Sequence, residues 1–160
     1  MSLKLPSRTD TIKVIVKADS ALKWPESAEE SDELWAAYLK SNDESYLEFK
    51  EGEQPTRFVL RKVLNYDQAQ KVQNQQMSMK DGQIQVQMSF IMEEVRQALV
   101  GIENPELTPL ADQIVFKKDG DGGASKEIVE GLHALGVVMD LYTARQNATA
   151  KFSEDLKKKS

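Results

Sequence analysis

The sequence predicts an α+β fold, predominantly helical, with a small antiparallel sheet of two or three strands near the N-terminus followed by a helical bundle. Three observations lead there. Residues 11–17, TIKVIVK, are rich in β-branched side chains that alternate with lysines. Residues 53–64, EQPTRFVLRKVL, open on a Pro and alternate again. From Tyr66 onward the apolar residues recur at spacings of three and four, the period of a helix face.

Along the chain, Thr11–Lys17 reads as a half-buried strand. Ile12, Val14 and Val16 form one face; Lys13, Ile15 and Lys17 form the other. Pro25–Asn42 reads as a helix. Ser27 and Glu30 have capping-box spacing, and Leu34, Trp35, Tyr38 and Leu39 make one apolar stripe that Ser41-Asn42-Asp43 ends. Tyr46–Lys50 and Thr56–Leu64 are short strands with Gly52 and Pro55 between them, which predicts a hairpin. Phe58 and Leu60 share one face of the second strand; Arg57, Val59 and Arg61 share the other. Strand order is open at this point.

Tyr66–Met79 reads as an amide-rich helix that Asp81-Gly82 interrupts. Ile84–Val100 carries the strongest helical pattern, with Ile84, Met88, Ile91, Met92, Val95 and Leu99 on one stripe. Gly101 is expected to be its C-cap, and Pro105 prevents continuation. Leu107–Lys118 fits either a strand or a helix end, and Lys117–Gly123 is a turn. Ser125–Phe152 reads as one long helix capped by Ser125, with Ile128, Leu132, Leu135, Met139 and Tyr142 on its stripe. Gly131 and Gly136 are expected to let this helix pack closely on Ile84–Val100. The C-terminal Lys157–Lys159 suit a helix C-terminus.

The 160 residues fit one domain, with a strand-containing part over 1–64 and a helical part over 65–160. A chain of this length buries about 70% of its unfolded surface and folds without metal or disulfide. There are no cysteines, so thiolate catalysis, zinc–thiolate sites and iron–sulfur clusters drop out. The net charge of −5 argues against a dedicated nucleic-acid binder, whose affinity comes from neutralised phosphates. No apolar run approaches the roughly 20 residues of a membrane span, and MSLKLPSRTD lacks a signal-peptide core. The expectation is an intracellular protein without membrane attachment. Ten acidic residues lie between Glu26 and Glu53 against Lys40 and Lys50. A solvated helix face explains them more simply than an acidic docking surface.

Catalytic chemistry is hard to assemble. His133 is the single histidine and has no neighbouring nucleophile in the sequence. Glu29-Glu30 and Glu93-Glu94 are adjacent pairs; adjacent helical side chains point about 100° apart, so each pair reads as solvated surface. Asp119–Glu130 matches three calcium-loop ligands, but position 5 is Gly123 and the turn glycine is replaced by Ala124. No phosphate-binding or dinucleotide fingerprint occurs. The expectation is a non-enzyme without metal or cofactor.

The run Gln54-Pro55-Thr56-Arg57-Phe58-Val59-Leu60-Arg61, followed by a helix, resembles the N-terminal part of tailed-bacteriophage tail assembly chaperones. Val95-Arg96-Gln97-Ala98-Leu99-Val100-Gly101-Ile102-Glu103-Asn104-Pro105 also looks like that family. Its members often carry a V…L-x-G-W-E-N pattern before a Gly-rich acidic turn and a last amphipathic helix. Here Ile102 stands where an aromatic is common, Asp119–Gly123 would be the turn, and the helix would start at Ser125. The order of parts matches over residues 46–150 and leaves the N-terminal strand and acidic helix uncovered. The resemblance implies a protein that binds and shields the tape-measure protein, or another tail component such as the tail-tube protein, in the host cytoplasm. Alternatives are an accessory virion protein and a small protein-binding inhibitor or adaptor; a homo-oligomer fits each. The candidate partner-binding residues are Met77, Met79, Met88, Met92, Trp35 and Tyr38, the methionines because Met-rich surfaces adapt to their partners.

Overall fold

The computed structural model describes residues 10–77, 83–104 and 124–159, with side chains over 10–74, 88–104 and 124–150. The elements run β1 (Thr11–Val14), β2 (Leu22–Lys23), α1 (Ala28–Ser41), a 3-10 turn (Glu44–Tyr46), β3 (Glu48–Phe49), β4 (Arg57–Arg61), α2 (Tyr66–Met77), α3 (Gln83–Ala98), β5 (Leu99–Glu103), α4 (Lys126–Ala134) and α5 (Val138–Lys159). This is the expected α+β class. The expected ambiguity at Leu107–Lys118, the turn at Lys117–Gly123, Asp81-Gly82, Pro105 and Met79 lie outside the described residues.

The main sheet is antiparallel in the order β1-β4-β5. Ile12 stands opposite Leu60 and Val14 opposite Phe58, and all four side chains are buried on one face. Such directly opposed pairs are the stabilising unit of a sheet. The expected hairpin of Tyr46–Lys50 with Thr56–Leu64 does not form. Both edges of β4 are taken, by β1 and β5, and β3 pairs instead with β2 in a separate two-stranded sheet.

The third strand comes from the segment expected to end a helix. α3 passes into β5 between Ala98 and Leu99. Gly101 is therefore a strand residue opposite Val59, not a C-cap. Val59 pairs with Gly101 and Leu60 with Leu99, so Val100 is the extra residue of a β-bulge. Pairing with the open edge of β4, with Leu99 fully buried, outweighs one more helical turn.

β1 also stops three residues early. Ile15 turns away from the face that Val14 and Val16 share, and its backbone N–H donates to the Tyr38 hydroxyl at 2.8 Å. With Val14 and Val16 on one side of the segment and Ile15 on the other, the apolar interior divides in two. The larger cluster joins Ile12, Val14, Phe58 and Leu60 of the sheet to Val95 and Ala98 of α3, Ile128 and Leu132 of α4, and Leu141 and Ala144 of α5. The smaller one gathers Ile15, Leu22, Trp35, Tyr38 and Leu47 around α1, and Leu39 packs against both.

α1 begins where the sequence places its cap: the Ser27 hydroxyl accepts from the Glu30 N–H at 3.3 Å. It ends at Asn42, left-handed with φ 57, whose side-chain amide donates to the Lys13 carbonyl at 2.8 Å. The expected long C-terminal helix is two helices. The Gly136 N–H donates to the His133 carbonyl at 2.9 Å and the Val137 N–H to the Leu132 carbonyl at 3.1 Å. With Gly136 at φ +77, this is a Schellman motif ending α4, sealed by Val137 and Leu132 in one core cluster. Gly136 thus supplies a left-handed turn, and a Cβ added at Gly131 or Gly136 would meet nothing within 4 Å. Neither glycine serves close packing. The break resets the helical phase: Met139, expected on the core stripe, is 44% exposed, while Val138, Leu141 and Ala144 are buried.

A candidate protein-binding groove between α3 and α4

Of the residues expected at a partner surface, Trp35 and Tyr38 lie inside the smaller core cluster. Their ring centroids are 5.3 Å apart, and Trp24 meets the Trp35 edge at 6.1 Å. Tyr38 is fully buried, and burial pushes its hydroxyl up to about 12. Its place is structural. The side chain of Met77 lies outside the described residues, as does all of Met79. Met88 and Met92 are half-buried on α3, and Met92 lines a concave site.

That site is a cavity of about 230 Å³ lined by Ser89, Met92, Glu93 and Arg96 of α3 and Lys126, Val129 and Glu130 of α4. Ser125 caps α4, its hydroxyl accepting from the Ile128 N–H at 3.3 Å. The two helices are tied just upstream by a reciprocal pair of bonds. The Ala124 N–H donates to the Arg96 carbonyl at 2.9 Å, and the Arg96 Nη1 donates to the Ala124 carbonyl at 3.3 Å. The rest of the Arg96 guanidinium is held by Glu93, at 3.0 Å through Nε and 2.8 Å through Nη2. Glu93 also accepts from the Gln97 amide at 3.0 Å. Bidentate geometry fixes a guanidinium more firmly than a single contact. The site therefore combines the apolar Met92 and Val129 with this pair and with exposed Lys126 and Glu130.

The Glu93-Glu94 pair, expected to be solvated, is largely buried and splits two ways. Glu93 serves Arg96 on the groove side. Glu94 faces α5, where it accepts from the Gln146 amide at 2.6 Å and lies 3.5 Å from Arg145. Arg145 in turn donates through Nε to the Arg61 carbonyl at 2.9 Å and through Nη2 to the Lys62 carbonyl at 3.4 Å. Burial pulls its guanidinium below the usual arginine value, with Glu94 opposing that shift. The spacing of Glu93 and Arg96 beside the apolar stripe is a signal for the first pair. Arg145 would have been found by resetting the helical phase at Gly136, since it follows Val138 and Leu141 on the same face.

Elsewhere, His133 is exposed. Glu26, Glu29, Glu30, Asp32 and Glu33 are exposed along α1. Glu44 is held out of that acidic surface by Arg57 in a bidentate pair at 2.9 and 2.8 Å. Among the described residues no group of three His, Asp or Glu side chains is placed to hold a metal, and no helix is long and apolar enough to cross a membrane. Asp119 and Asp121 of the calcium-loop pattern lie outside the described residues. Comparison with family models, with curated proteins and with solved structures returns no match.

Proposed function

We propose that this chain is a non-enzymatic phage tail morphogenesis protein that binds and shields a helical tail component, such as the tape-measure protein, during assembly in the host cytoplasm. The observation that carries the reading is the pairing of β4 with β5, which hydrogen-bonds together the two segments that resemble the family, their paired residues 39 to 46 positions apart in the chain. β5 extends α3, and α3 forms the groove with α4, so the resembling segments are the mount for a surface. A long amphipathic helix exposed alone aggregates through its apolar stripe. A groove with an apolar floor and charged edges accepts one side of such a stripe. Its small apolar area and polar walls suit a contact that must release when the tail tube polymerises.

The test is a pull-down with a tagged tape-measure segment. Met92→Gln keeps the side chain's length and removes its apolar end. It is expected to weaken capture on the order of tenfold, equivalent to about 1.4 kcal/mol of contact, while leaving the melting temperature within a few degrees. Capture unaffected by Met92→Gln would remove the groove from the interface.

A further inference from the structure

We draw no further inference here: the strongest candidate, the groove between α3 and α4 with Met92 and Val129 on its floor, belongs to the site already described, and nothing in the structure shows what covers it.

Discussion

Tyr38 shows how one polar atom fixes the boundary between the two core clusters. Its hydroxyl receives the Ile15 N–H where β1 leaves the sheet. Tyr38→Phe removes the acceptor and leaves a buried N–H unpaired, which is expected to cost about 1–3 kcal/mol in urea unfolding. Arg145 carries a larger burden. Arg145→Met strands Glu94 with Gln146 alone and is expected to cost about 3–5 kcal/mol, whereas adding Glu94→Gln should recover part of that loss. Additive losses in this double-mutant cycle would show that the two side chains do not interact. Asp19 sets a pH dependence. It is 3% exposed and accepts from the Ala21 N–H at 2.9 Å and the Thr56 N–H at 2.8 Å. Burial raises its carboxyl above 3.8 despite those bonds. A raised carboxyl binds its proton more tightly in the folded state. Its stabilising contribution is therefore complete below 3.8 and is lost as pH rises through the shifted value. Urea melts across that interval should show wild type losing stability relative to Asp19→Asn as pH rises; the opposite slope would reverse the sign assigned to burial. At this scale the sequence was informative where a side chain caps its own helix, as with Ser27 and Ser125. It was silent on Glu94, whose partners lie a helix and a strand away.

Among the elements, the helices were legible from their stripes and caps; β1, β3 and β4 were legible as strands but not as pairs, and β2 and β5 were not legible as strands. Residues 46–50 and 56–64 look like a hairpin because they are adjacent. Pairing is decided by which edges are free, and β4 has none left after β1 and β5. The α3–β5 junction was hidden for a different reason. Leu99 and Val100 satisfy a helical stripe and a strand equally, and only the partner strand decides between them. The C-terminal break was hidden because Ile128, Leu132, Leu135, Met139 and Tyr142 keep helical spacing straight through Gly136. The two glycines of this region separate the explanations. Gly136→Ala places a Cβ at positive φ in open space, so its cost is conformational, about 1 kcal/mol. Gly131→Ala lies inside α4 with open space around the new methyl group and should stabilise by about 0.5–1 kcal/mol. Thermal melts of the two variants moving in the same direction would contradict this assignment.

For the whole molecule, class was legible because it rests on periodicity, and of the candidate site Met92 alone was legible. Met92 stood out as sulfur on an amphipathic helix. Val129, Lys126 and Glu130 did not, because they come to the groove only when Arg96 and Ala124 tie the start of α4 to α3. Trp35 and Tyr38 were drawn the other way: aromatic side chains fit an interface and a core equally well, and here Ile15 and Leu22 close over them. What joins the parts is the sheet, in which β4 and β5 lie side by side and β5 continues α3, one wall of the groove. The direct test is to co-express this chain with an aggregation-prone tape-measure segment and to measure the soluble fraction by size-exclusion chromatography with light scattering. The proposed function predicts a soluble complex of defined mass containing both chains. A segment that stays insoluble, with this chain eluting alone, would contradict it.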